Sequence, residues 1–582
     1  MRYKVLALLI LTVQLAWASH NRGGYINYYR ISGNQYVFRI YTWTDPSIPA
    51  SDRCDMNLYV DNMDTLLCSR VNGTGPCPNG GTGVDGVVIL PGSGGYGGMK
   101  ENIYQSPVYT LNPGTHYFTA IDFNRKPGII NMGGSGSQNI AFAIIDTVFI
   151  SSTGGSAAYN NSPVISYRPI DYTSAGNLFT YNPGMIDPDN DSLDFSLTRS
   201  YEDDPNNAPF GLQQIAIESI PAGLTIDNLT GTLTWSPVIN MQGDYDISIL
   251  VKEYRTDAAN CKKVLIGTTV LDIPLRVQPG SGASVAFSSA PQNVCVLADT
   301  FYFKQITVTG TGISNSPVSV TAAGLPLTSA MVGTNAVFTP TSGSSSASGV
   351  FNWPVSYHAI NKDPYPVVFR ASDAGQPGNA TYQCWFIKVV SKPATNFSAN
   401  NVGNTVQLAW NLPANYADSN LIQFNVYRTS SCTTFVPSAC QVGPPPASTL
   451  LFSLFSSSGV YTFNYGNVPP GAHQYYVVPV FTGCARGQAA ASSCLVTGVD
   501  DISTTDFSVF PNPSNGKFTV RLNSGESSAK ITLSNLLGQA INCPAYMQNG
   551  EAKLDLSGYE KGIYFLTLKS KNGELTKKIL IE

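Results

Sequence analysis

The sequence predicts an all-β protein: tandem β-sandwich domains closed by a smaller terminal β-sandwich. Three observations predict it. Charged residues are only 12 % of the 582, about half the roughly 25 % of an ordinary soluble domain. Gly, Ser, Thr, Asn, Tyr and Val take their place, a composition suited to pleated strands and tight turns. Short runs that alternate apolar and polar residues recur between Gly-, Pro- and Asn-rich breaks. A phrase built on Gly, Trp and Pro also occurs twice, with Trp235 and Trp353 118 residues apart, a spacing that fits sandwiches of about 100 residues. The length exceeds a single core, and a net charge of −4 without a basic block gives no support for nucleic-acid binding.

Residues 1–18 read as a signal peptide. "MRYK" supplies a positive start, "VLALLILTVQLAW" an apolar run, and Ala16-Trp17-Ala18 a small-x-small cleavage site. No later stretch approaches about 18 consecutive apolar residues, so no transmembrane helix is expected in the mature chain. Residues 19–155 form a first β domain. "YINYYRI" and "QYVFRIYTW" flank Gly33-Asn34 as a hairpin, and "VVILP", "THYFTAIDF" and "IAFAIIDTVFI" continue the strands. The opening "SHNRGGYINYYRISGNQYVFRIYTW" resembles the start of large secreted surface proteins of Gram-negative gliding bacteria.

The small-polar stretch "SSTGGSAAYNNSP" leads to a second domain, 156–280. Its "AGLTIDNLTGTLTWSPVINMQGDYDISILVKEY" reads as two strands about a Thr-Gly turn, then a strand of strict alternation from Tyr245 to Val251. The third domain, 284–392, repeats the phrase as "GVFNWPVSYHAINKDPYPVVFRASD", where Gly349, Trp353, Pro354 and Tyr365 answer Gly231, Trp235, Pro237 and Tyr245. The stretch resembles bacterial immunoglobulin-like and cadherin-like modules. Residues 393–502 carry further strands, "VQLAWNLP", "LIQFNVYRTS" and "VPPGAHQYYVVPV", with Trp410 and Tyr427 expected in the core. "PPGAHQYYVV" resembles a fibronectin type III corner with Tyr475 as its tyrosine.

Residues 503–582 differ in composition, with charged residues about twice as frequent as before. Pro511 and Pro513 hold an extended approach around Asn512, and Ser514-Asn515-Gly516 turns the chain. "ITLSNLLGQ" (with Gly538), "LDLSGYEKGIYFLTL" (with Gly562) and a closing "KKILI" (Lys577, Lys578) follow in order. This succession resembles the type A C-terminal sorting domain of the type IX secretion system. The resemblance implies export through an outer-membrane channel, the type IX machinery as partner, and release or anchoring to surface lipopolysaccharide.

Export makes the eleven cysteines candidates for disulfides. Short spacings suggest Cys432–Cys440, Cys484–Cys494 and Cys68–Cys77, with Cys54–Cys261 and Cys295–Cys384 as longer links and Cys543 left over. No CxxC spacing suggests zinc. The four histidines, His20, His116, His358 and His473, fall in different segments without HExxH spacing. Glu202-Asp203-Asp204 is an acidic run beside a proline and reads as a solvated turn rather than a glycosidase pair.

The densest acidic stretch is "MIDPDNDSLDF", with Asp187, Asp189, Asp191 and Asp194. Alternate aspartates in a tight loop can converge on calcium, which takes six to eight oxygens. Ser192 and Thr198 stand where an EF-hand needs Gly and Glu, so the loop is not one. It resembles the DxDxD loops between cadherin-like modules. A calcium site and a hydrated acidic turn both remain open. The reading that follows is a non-enzymatic rod of sandwiches, exported to the cell surface or secreted, that adheres or binds a surface glycan or protein ligand through its first domain. The alternative is a secreted hydrolase or carbohydrate-binding protein with its activity in that domain.

Overall fold

The structure is a computed structural model that describes residues 21–48, 52–78, 80–92, 98–152, 159–170, 172–204, 211–235, 242–279, 284–289, 293–311, 317–328, 332–373, 379–403, 405–413, 416, 420–455, 460–466, 468–497, 507–522, 529–543, 545, 547–570 and 573–582. The expected cleavage site at Ala16 and Ala18 lies outside them. Strands dominate throughout, and among the described residues no helix is long and apolar enough to cross a membrane.

The first hairpin forms as its alternation predicts. Asn21–Ser32 pairs with Gln35–Thr44 around Gly33, whose φ of 52° suits a residue without a Cβ. Side chains on one face, including Ile26, Tyr28, Phe38 and Ile40, join Leu58, Phe118 and Ile144 in an apolar core. The sheet does not end where the first segment ends. Lys263–Gln278 meets Phe142–Ile150 at Gly267–Thr269 and Asn21–Ser32 at Gly24↔Asp272, while its other edge carries Gly243–Thr256. The hydrogen-bonded path therefore closes through a strand from beyond the stretch "SSTGGSAAYNNSP".

The two Trp phrases occupy equivalent places. In the third segment one sheet orders Ser284–Phe287, Thr300–Thr311, Ser346–Val355 and Val337–Thr341, and the other orders Val294–Leu297, Ala380–Val390, Tyr365–Asp373 and Val318–Gly324. The second segment repeats this with Phe179–Tyr181, Leu233–Trp235 and Leu224–Ile226 facing Thr173–Ser174, Lys263–Gln278, Gly243–Thr256 and Ser192–Thr198. Each copy has one short parallel pairing, Thr173–Ser174 on Lys263–Gln278 and Val294–Leu297 on Ala380–Val390. Trp235 meets Tyr245 edge-on at 5.1 Å, and Trp353 meets Tyr365 at 5.8 Å. Both indole N–H groups are satisfied by backbone carbonyls, of Ala222 and Thr334, as a buried indole requires.

The fourth sandwich sets Thr395–Val402, Thr405–Asn411 and Val460–Gly466 against Thr449–Phe455, Leu421–Thr429 and Gly471–Phe481. Trp410 and Tyr475 are in its core. Tyr427, on the other face of its strand, packs with Tyr476 and Ala489. The terminal sandwich sets Phe507–Phe510, Lys517–Leu522 and Glu551–Asp555 against Ala540–Ile541, Lys530–Asn535, Gly562–Ser570 and Gly573–Ile581. Among the described residues, its buried core draws only on residues 507–581.

The sandwiches do not string out as the expected rod. Val368 and Tyr382 of the third join the core of the second, and Tyr416, Phe481 and Ala485 of the fourth join the core of the third. The disulfides correct the expected pairing in the same sense. Cys54–Cys77, Cys261–Cys484, Cys295–Cys440 and Cys432–Cys494 form, with Cα separations of 5.3–5.8 Å, and Cys68, Cys384 and Cys543 are free. Cys54–Cys77 and Cys432–Cys494 each close within one segment, whereas Cys261–Cys484 and Cys295–Cys440 join different sandwiches, because back-folded modules bring their loops within disulfide reach. Cys68 and Cys384 instead lie on strands, where burial pushes both thiols up to about 12 and makes them poor nucleophiles. Replacing Cys261 and Cys484 together with serine should cost about 4 kcal/mol, because even with Cys295–Cys440 shortening it the loop this bond closes is still about 80 residues long. Denaturant midpoints against wild type check this, and an unchanged midpoint would contradict it.

Candidate functional site

The acidic loop leaves an isolated bridge at Ile186 and enters strand Ser192–Thr198. Asp187 turns inward and its Oδ1 accepts the backbone N–H groups of Asp189 and Asp191, both at 2.9 Å. Asn190 takes a left-handed φ of 64°, which asparagine tolerates better than most residues. The four aspartates then part. Asp189 accepts the backbone and side-chain N–H groups of Asn161 at 2.7 and 3.0 Å. Asp191 is clamped by the Arg255 guanidinium, whose Nε lies 3.0 Å from each carboxylate oxygen. Arg255 also donates to Tyr159 O and Asn160 Oδ1, each at 2.7 Å. Asp194 stands apart on its strand, where Asn228 Nδ2 donates to it at 3.4 Å.

The structure adds a carboxylate that the loop does not contain. Glu253, on Gly243–Thr256, brings an oxygen into a group with Asp187 and Asp191 whose members all lie within 4.8 Å of one another. Glu253 and Asp187 are 2 % and 5 % exposed. Asp187 Oδ2 and Glu253 Oε1 are both buried without a hydrogen-bond partner. Burial, then the charge of a neighbouring aspartate, pushes both carboxyls well above the usual carboxylate range. Burial also raises Asp191, against the pull of Arg255. The register carries a signal that sequence reading missed. Tyr245, Ile247, Ile249 and Val251 occupy the buried face of their strand, and at period two Glu253 and Arg255 continue that face. Charged residues in an inward series need partners.

The loop stands between two clefts. One, of about 440 Å³, is lined by Met185, Leu193 and Phe195 of the second sandwich and Tyr365, Val368 and Phe386 of the third. The other, of about 360 Å³, is lined by Tyr254, Arg255, His358, Ile360, Asn420 and Gly483 and so touches three sandwiches. The remaining sequence candidates sit elsewhere. His116 bonds Asp61 Oδ2 and Asn112 O, each at 2.7 Å, and His473 bonds Pro469 O at 2.7 Å. His20 lies outside the described residues. Glu202 and Asp203 belong to strand Tyr201–Asp203, paired with Leu212–Gln214, which makes the acidic run one side of a hairpin.

In the terminal sandwich, Asn512, between Pro511 and Pro513, pins the last strand. Its Nδ2 donates to Lys578 O at 2.9 Å and its Oδ1 accepts from Leu580 N at 2.8 Å. Gly516 has a φ of 100°, and a Cβ there would lie 2.6 Å from the Ser557 backbone, so only glycine fits. Gly538 turns the chain with a φ of 78°. Gly562 opens a strand opposite Ile581. Lys577 reaches over the Phe507 ring, with Nζ 5.2 Å from its centroid, while Lys578 is exposed.

Residues 508–582 match the family model of the secretion system C-terminal sorting domain. No curated protein matches the chain. Similar solved structures include a three-immunoglobulin-domain segment of titin, 14 % identical, covering 57 % of this chain and 97 % of that one with a TM-score of 0.19. A four-domain ectodomain fragment of ICAM-5 is 12 % identical, with 70 % and 95 % covered and a TM-score of 0.22. The eight N-terminal immunoglobulin domains of the Down syndrome cell adhesion molecule are 11 % identical, with 97 % and 74 % covered and a TM-score of 0.15. The terminal domain makes the chain a cargo of the type IX secretion machinery, which implies export to the outer cell surface or release.

Proposed function

We propose that this is a non-enzymatic binding protein whose back-folded sandwiches form a head, delivered by the terminal domain and held on the cell exterior or released. The observation that carries the reading is the sorting match at 508–582 on a domain with its own core, attached to sandwiches that Cys261–Cys484 and Cys295–Cys440 lock together. Such a head offers inter-module clefts, the usual location of ligand sites. The ligand is a surface glycan or protein, and lipopolysaccharide is the anchor if the chain is retained. Glycan and protein arrays probed with the purified full chain, beside a hydrolase panel, test this. Saturable binding without turnover is expected. Turnover without stable binding would favour the secreted-hydrolase alternative.

We further infer that Asp187, Asp191 and Glu253 hold calcium. Two of these three clustered carboxylates, Asp187 and Glu253, each carry a buried oxygen without a hydrogen-bond partner. Asp187, Asp189, Asp191 and Glu253 together outweigh the single Arg255 beside them. A hard divalent cation meets both demands. Asp189 serves the loop rather than the ion, and Asp194 serves neither.

A further inference from the structure

Most phrases of the terminal domain have a visible structural task. Asn512 ties down the last strand, Gly516 permits a close approach, and Leu533, Leu566 and Leu568 fill the core. Leu536 and Leu537 have none. They are 65 % and 83 % exposed, yet their turn is firmly built. Asn535 Oδ1 accepts from Leu537 N and Gln539 N, each at 3.0 Å, and Gly538 N closes on Asn535 O at 3.0 Å. The turn thus spends its polar groups holding two adjacent leucines in water, where they add nothing to folding.

Strand pairing brings other segments to the same end of the sandwich. Asn535 lies opposite Tyr564, Gly562 opposite Ile581, and Ser514 bridges Ile581. Four stretches far apart in sequence therefore meet at the end of the sandwich that carries the leucine turn. We propose that Leu536 and Leu537 are the apolar contact by which the type IX machinery grips this domain, through a pocket that accepts two aliphatic side chains. This rests on the sorting reading of 508–582.

The test compares full-length variants in a host that exports by this route, with surface and periplasmic fractions quantified and each purified protein melted. Leu536→Asn with Leu537→Asn should accumulate in the periplasm, with surface display reduced at least tenfold and the melting temperature unchanged. Leu536→Met with Leu537→Met should display normally. Wild-type display of the asparagine pair would overturn the proposal. If that pair melts lower, Leu537→Arg decides, since its side chain already stands in water, and normal display of that variant overturns the proposal equally. Deletion of 507–582 separates the two readings. Retention of the deletion beside display of the asparagine pair sinks only this proposal, whereas display of the deletion sinks the sorting reading beneath it.

Discussion

Replacing Arg125 with alanine should destabilise the protein by about 3–5 kcal/mol, the usual cost of stranding buried charge. Arg125 is fully buried. One guanidinium nitrogen lies 2.5 Å from Asp246 Oδ2 and another 2.8 Å from Asp272 Oδ2, while Tyr201 O accepts a third bond at 3.1 Å. Asp246 and Asp272 come from the long hairpin of the second sandwich and Arg125 from the first segment, so one side chain neutralises two buried acids across that junction. Burial, then the charge of Asp272, holds Asp246 well above the usual carboxylate range. Burial raises nearby Glu218 to about 7. Without the guanidinium, Asp246 and Glu218 must enter the fold protonated. A carboxyl raised by folding is stabilising below its unfolded value and loses that contribution as pH rises through its folded value. The deficit of Arg125→Ala should therefore be smallest near pH 4–5 and largest above pH 7. Urea midpoints across that range provide the measurement. A loss under 1 kcal/mol at pH 8 would show that water already reaches the cluster.

That junction also shows how far the sequence could be read. Alternation in "YINYYRI" and in Tyr245–Val251 gave the strands, and the repeated Gly, Trp and Pro gave two equivalent sandwiches. Those are local signals, written at the period of the backbone. Which strand lies beside which edge is not local. Nothing within Lys263–Gln278 states that it meets Gly24 on one side and Tyr245 on the other. The pairings of Cys261 with Cys484 and of Cys295 with Cys440 escaped for the same reason, because they depend on how whole sandwiches fold back. At the acidic loop, proximity in sequence identified Asp187 and Asp191 but also drew in Asp194, which its strand turns away. Glu253 entered through strand pairing, opposite Leu193.

Calcium should raise the melting temperature through these residues, and the size of the effect can be set in advance. Calcium sites of extracellular modules bind at about 10⁻⁴–10⁻³ M. A ligand at 100 times its dissociation constant stabilises the folded state by about 2.7 kcal/mol, so 10 mM calcium should approach that figure at the tight end. The comparison is the full chain in chelator against the full chain in calcium. Glu253→Gln should abolish the increase. Its amide keeps the volume and one acceptor but removes the charge, and Glu253 Oε1 has no protein partner to lose. Asp187→Asn is less informative alone, because Asp187 Oδ1 also organises the loop through Asp189 N and Asp191 N. Asp194→Asn is the control and should leave the increase intact, since its carboxylate stands outside the group. Identical melting curves in chelator and calcium would instead leave the buried carboxylates neutralised by protons and Arg255 alone. Loss of the increase in Asp194→Asn but not in Glu253→Gln would move the ion to the strand and overturn the assignment of Glu253.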